Sequence, residues 1–250
     1  MISLTVKVPF VILFPERSGS TFLVSLLKSH PEIKCYSEIF SLETKEDGQR
    51  GRSSKYPTED DVYQKLNFVY SQSEVHASGF KFKYLGQVEH YPEVTKYLLS
   101  IKDKMSVILL QRKNLLKAAV SKQNQARIFA AKGVNNIKKD NNVQVVGRLE
   151  LNINKAIRYM EKRKVTDDYY HQQVSNFGFA KVHHLWYEDL VKSYEKTIGN
   201  VLSFLEVDSS QKLSSDFQKI TNDNLEESLN NYDEVVTKLS GTEWSEYLFM

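Results

Sequence analysis

The chain is short of cysteine, of sequons, of long apolar runs and of any excess of one charge, and each shortage narrows what it can be. Cys35 is the only cysteine among 250 residues, which excludes internal disulfides and gives no reason to infer an oxidising compartment. No Asn-X-Ser/Thr sequon occurs. The apolar stretch from Val8 to Phe14 is too short for a membrane span and contains Pro9. It runs into Pro15-Glu16-Arg17 rather than the small residues of a signal-peptide cleavage site. A soluble, cytoplasmic protein without a transmembrane segment is the expectation. With 34 Lys and Arg against 31 acidic residues, the net charge is only +3. Nonspecific attraction to nucleic acid is therefore weak, no nucleic-acid partner is expected, and a few placed cations matter more than the total.

Familiar catalytic signatures are missing as well. A Walker A loop needs glycine five residues before Gly19 and lysine after it, but Phe14 and Ser20 stand there. No Gly-X-Ser-X-Gly elbow exists, which removes the main cue for an α/β-hydrolase. Six residues beyond Cys35 lies Ser41 rather than arginine, so no cysteine-phosphatase loop is present. The pair His183-His184 would point to opposite faces of a strand, and no Cys or carboxylate spacing suggests a metal, so structural or surface histidines are expected.

What is present is the pattern of one α/β domain over residues 1–250, with 41% hydrophobic residues to fill a core. Near-continuous apolar runs at Phe10 to Phe14 and Val107 to Leu110, and weaker ones at Gly79 to Tyr84 and Lys181 to Trp186, predict strands buried on both faces. Between them lie helical stripes: Leu23, Leu26 and Leu27, stopping before Pro31; Leu149, Ile153, Ala156, Ile157 and Met160; and Ile198, Val201, Leu202 and Leu205. The alternation predicts a central, mostly parallel sheet flanked by helices. Two polar segments, Glu43 to Asp60 and Lys132 to Gly147, read as mobile insertions. They could close over a crevice at the carboxyl ends of the strands or could simply be disordered.

Two segments carry chemistry. Arg17-Ser18-Gly19-Ser20-Thr21-Phe22 falls where a buried strand becomes a helix. Unpartnered N–H groups and the positive end of a helix dipole favour an anion there. Arg17 adds charge, Gly19 allows close approach, and the hydroxyls add donors. The same residues could equally serve as an ordinary helix cap. In the second segment, Arg112 stands at the end of the Val107 strand, and Ser121 lies nine positions later. The two share a phosphate only if the strand-to-helix turn folds back.

Taken together, the first loop and the Arg112-X-Asn114 segment with Ala119-Val120-Ser121 resemble the two nucleotide motifs of sulfotransferases that use 3′-phosphoadenosine 5′-phosphosulfate (PAPS). The resemblance is nearest to bacterial carbohydrate and nodulation-type members. Other fragments agree, from Leu27 to Ile33, Ser37 to Phe40, Trp186 to Leu190 before Phe204-Leu205, and Tyr232 through Gly241-Thr242. The resemblance implies an α/β fold with a P-loop-like turn in which Arg17, Ser18, Gly19, Ser20 and Thr21 hold the 5′-phosphosulfate. Phe22 stands where many relatives stack a Trp on adenine, and Arg112 and Ser121 would bind the 3′-phosphate.

The resemblance further implies Glu38 as general base, with Lys81 directed at the transferring sulfuryl group alongside Arg17. Taken from the residues alone, Glu38 could be a solvated loop carboxylate and Lys81 the exposed side of an alternating strand. Cytosolic sulfotransferases place a catalytic His two residues beyond that Lys, where this chain has Lys83, which shifts the base to Glu38. No metal is needed. The product is 3′,5′-adenosine bisphosphate, and the acceptor is a hydroxyl of a carbohydrate, lipid-like or small molecule. The alternative is a nucleotide- or phosphate-binding protein of the same fold without turnover. A sparse basic patch, Lys132 to Lys139, is a minor candidate for a membrane or partner surface.

Overall fold

A run of six apolar or proline residues suits a strand covered on both faces, and Val8–Leu13 forms such a strand, β1, with every residue buried. A computed structural model of the chain describes residues 4–40, 58–83, 92–133, 137–138, 147–218 and 224–250. The polar segments 43–60 and 132–147 and the basic patch 132–139 fall mostly outside these residues. Contacts divide the chain into two compact units, Met1–Gln111 with Tyr169–Ser214, and Arg112–Asp168 with Ser215–Met250.

The first unit is built on a five-stranded, all-parallel sheet. Besides β1 it contains β2 (Ile33–Tyr36), β3 (Ala77–Phe82), β4 (Ser106–Gln111) and β5 (Lys181–Trp186), in the order β2-β3-β1-β4-β5. β1 begins earlier than its apolar run predicts and includes Pro9. β3 pairs with it from Val8, whereas β4 joins only at Phe10, so the missing proline N–H falls where one neighbour has not yet started. The chain runs out from β1 to β2, returns to β3 and then crosses to β4 on the other side, which makes the carboxyl end of β1 the switch point of the topology.

Alternate residues of the strands feed two cores. Val11, Leu13, Phe80, Phe82, Val107 and Leu109 pack with α2 (Glu59–Tyr70), α3 (Pro92–Ser100) and Tyr170 and Val174 of α5 (Ile153–Phe177). Phe10, Ile12, Ile108 and Leu110 pack with α1 (Ser20–Lys28) and α7 (Tyr194–Phe204), the latter following α6 (Tyr187–Lys192). Cys35 belongs to this second core. Burial pushes its thiol up to about 12, outweighing the lowering pull of Lys28 and Lys81, so it is an inert core residue.

His183 and His184 point to opposite faces of β5, as expected. The His183 ring lies 5.2 Å from that of Phe204, and His184 stacks on His171 at 5.1 Å. Burial lowers the pKa of both, helped by the neighbouring imidazole in each case. The folded chain therefore binds protons less readily than the unfolded one, whose histidines titrate near about 6.5. Stability is fully present above that pH and falls as pH drops through it. The urea midpoint should decrease between pH 7.5 and 5.5, and His184→Gln should flatten the decrease.

The second unit is mainly helical, with one short antiparallel pair, Ile137–Lys138 against Phe217–Gln218. α4 (Leu115–Lys132), the first part of α5, α8 (Leu225–Ser228) and α9 (Tyr232–Leu239) surround a core of Leu116, Val120, Met160, Leu229 and Val235. Leu149 is not part of the α5 stripe. Its N–H donates to Ser228 O at 2.8 Å and its carbonyl accepts from Asn230 N at 2.9 Å, which commits that backbone to a bridge with Leu229 and delays the helix to Ile153. Among the described residues, no helix is long and apolar enough to cross a membrane.

Candidate active site

β1 ends at Leu13, and a six-residue turn leads to α1 at Ser20. Two residues of that turn are left-handed, Arg17 at φ 64 and Gly19 at φ 85, and the helix follows directly. Left-handed residues next to a helix start gather successive N–H groups into a concavity suited to an anion. The N-cap of α1 is Gly19, which has no side chain to cap the helix, and the first turn contains no acidic residue. A ligand oxygen is thus the natural partner for its first N–H groups.

Within the turn, the Ser18 hydroxyl donates to Pro15 O at 2.7 Å and is fully buried. The contribution left to Ser18 is its main chain. Ser20 is buried, while Arg17, Thr21 and Phe22 are half-buried, Phe22 against the α1-side core. Gly19 is required twice: its φ is left-handed, and a Cβ there would sit 2.3 Å from Cδ2 of Tyr187.

Lys81 reaches this turn from β3, where it is register partner to Ile12 of β1. All six residues of β3 are buried, so Lys81 is not the exposed side of an alternating strand; it is 6% accessible. Its Nζ donates to Thr21 Oγ1 at 3.2 Å, pairs with Glu38 Oε1 at 3.2 Å, and lies 5.3 Å from the centroid of the Phe14 ring. Lys83 instead pairs with Glu16 at 3.6 Å. Glu38 follows the carboxyl end of β2 and remains partly open, with 30% of its side chain accessible. One ammonium therefore faces both the start of α1 and a carboxylate that water or a substrate can reach. An anion placed on the helix start would meet the ammonium, and the carboxylate stands beside it to accept a proton.

In the second unit, Arg112 and Ser121 are both buried, at 8% and 6% accessibility. Asn114 between them caps α4: its Oδ1 accepts from Lys117 N at 2.7 Å, and its Nδ2 donates to Tyr247 O at 2.8 Å. Among the described residues, no group of three or more His, Cys, Asp and Glu could hold a metal ion. Sequence reasoning assigned no role to Phe14, Tyr170 or Tyr187. Tyr187 carried a signal, standing in the fragment Trp186 to Leu190; Phe14 read only as the end of an apolar run, and Tyr170 drew no reading.

No family model and no curated protein matches the chain. Solved structures do. A sulfotransferase from Alicyclobacillus acidocaldarius is 13% identical over 95% of this chain and 91% of its own, with a TM-score of 0.49. The sulfotransferase domain from the curacin biosynthetic pathway is 16% identical over 82% and 76%, with a TM-score of 0.46. A mouse sulfotransferase complexed with PAP is 17% identical over 81% and 60%, with a TM-score of 0.42. These likenesses, at 13–17% identity, carry no role to this chain, and its chemistry has to be read from its own residues.

Proposed function

We propose that residues 1–250 make up a sulfotransferase that moves a sulfuryl group from PAPS to a hydroxyl of a carbohydrate, lipid-like or small-molecule acceptor. The observation that carries this reading is the Lys81 ammonium, 3.2 Å from Thr21 at an uncapped helix start and 3.2 Å from Glu38. The first N–H groups of α1, with Arg17, Ser20 and Thr21, hold the 5′-phosphosulfate, and Phe22 offers a ring to the adenine. Arg112 and Ser121 hold the 3′-phosphate, where a guanidinium suits a dianion.

Glu38 takes the acceptor's proton as its oxygen forms the new bond to sulfur. The bond from sulfur to the 5′-phosphate oxygen breaks in line, and Lys81 and Arg17 stabilise the charge that develops on the departing phosphate. The donor set is made of cations, hydroxyls and N–H groups, and the step needs no metal. A cytoplasmic location belongs to the same reading, and the single cysteine gives no reason to infer an oxidising compartment.

Thermal stabilisation by nucleotides tests the donor. At a hundredfold excess over Kd, 3′,5′-adenosine bisphosphate should raise Tm by about 5–10 °C. AMP and ATP should do less, and Arg112→Ala should reduce the bisphosphate to the level of AMP. Preference for ATP would overturn the donor assignment. Binding of the bisphosphate without transfer to any of a panel of hydroxylated acceptors would favour a nucleotide-binding protein that lacks turnover.

A further inference from the structure

Phe14 is the residue on which the β1 ladders end and the turn begins. The pairing of β1 with β3 and with β4 stops at Leu13, so the Phe14 carbonyl lies beyond the sheet's own hydrogen bonds. Its partner is the hydroxyl of Tyr170, at 3.0 Å, from a helix that joins the same unit late in the sequence. Tyr170 is fully buried. Phenylalanine would fill the same volume, so packing alone does not call for the hydroxyl. The ring of Phe14 lies 5.3 Å from the Lys81 ammonium. One residue thus touches both halves of the candidate site, through its main chain and through its ring.

The turn needs such support. A non-glycine residue held left-handed, as Arg17 is at φ 64, persists only where its surroundings over-determine it. The far end of the turn is fixed by α1 and by the Tyr187 ring against Gly19. The near end has β1 and the Tyr170 hydroxyl. We propose that Tyr170 is a positioning residue for the anion site. It fixes Phe14, which sets the entry of the turn through the main chain and the place of the Lys81 ammonium through the ring. This inference rests on the reading that the turn and Lys81 hold the phosphosulfate end of the donor.

Tyr170→Phe removes the hydroxyl and keeps the ring. The affinity of the variant for 3′,5′-adenosine bisphosphate is to be measured by calorimetry, beside its urea midpoint. The expected result is affinity lower by about tenfold, the scale of one hydrogen bond, on top of whatever stability is lost. That loss should shrink in a Lys81→Ala background, because part of it passes through Lys81. Unchanged affinity in a folded but less stable variant would make Tyr170 structural only and overturn the inference while leaving the sulfotransferase reading intact. A parent chain that fails to bind the bisphosphate would overturn both. If Tyr170→Phe does not fold, 3-fluorotyrosine at position 170 in the otherwise native chain provides the readout: its fluorine resonance should shift on titration with the bisphosphate, and no shift would overturn the proposal.

Discussion

Glu38→Gln is expected to lower turnover by about 10²–10⁴-fold, the usual worth of a positioned general base. The amide keeps the shape of the side chain and cannot take the acceptor's proton. Binding should move in the opposite direction. In the native chain the Glu38 carboxylate pairs with Lys81 at 3.2 Å and competes with an incoming anion for that ammonium. Removing the negative charge leaves the ammonium to the anion, so 3′,5′-adenosine bisphosphate should bind the variant at least as tightly as the parent. Single-turnover transfer with labelled donor, beside a calorimetric titration, separates the two effects. Unchanged turnover would refute the base assignment, and weaker bisphosphate binding would refute the competition for Lys81.

Gly19→Ala should remove binding and much of the stability at once. The new methyl would lie 2.3 Å from Cδ2 and 2.7 Å from Cε2 of Tyr187, closer than atoms tolerate, and the residue would still have to hold φ 85. A left-handed alanine costs about 1–2 kcal/mol and a forced overpacking about 1–3 kcal/mol, for a total of about 2–5 kcal/mol. Relief can come only by moving the Tyr187 ring or by opening the turn, and an opened turn loses its gathered N–H groups. Affinity for the bisphosphate should fall by about two orders of magnitude, on the scale of several charge-assisted hydrogen bonds lost together. Gly133 is the internal comparison: it has φ 68 with nothing within 4 Å of an added Cβ, so alanine there should cost the backbone term alone and leave binding untouched. Urea unfolding of both variants, with and without the bisphosphate, checks the contrast. Retained affinity in Gly19→Ala would mean that the ring gives way and the shape of the turn does not matter.

Sequence alone made β1 and β4 legible because each carries a near-continuous apolar run, the mark of a strand buried on both faces. It hid β2, whose four residues include the exposed Lys34 and so lack an apolar run. It also hid α2, which begins inside a segment read as a polar loop. Thr58 and Asp61 form a reciprocal capping box there, and Thr-X-X-Asp is a signal the polar composition drowned out.

The site divided along similar lines. A glycine-bearing turn between strand and helix is local, and the turn at 17–22 could be read from adjacent letters. The setting of Lys81 could not, because alternation within β3 suggests an exposed face that the neighbouring elements cover. Ser18 looked like a ligand hydroxyl, whereas its proton goes to Pro15 O, a choice made by the turn's own geometry. Tyr170 lies 156 residues from the carbonyl it supports, and no local pattern connects the two.

The short β2 strand has a further effect at the rim of the sheet. Outer strands present unpaired main-chain groups on which foreign chains can zip, and proteins blunt them with brevity and with lysine. β2 does both: it is four residues long, and Lys34 projects from its middle. A foreign strand docking there would meet a charge in the middle of too few rungs to hold, which guards this flank of the sheet against fibril-like growth.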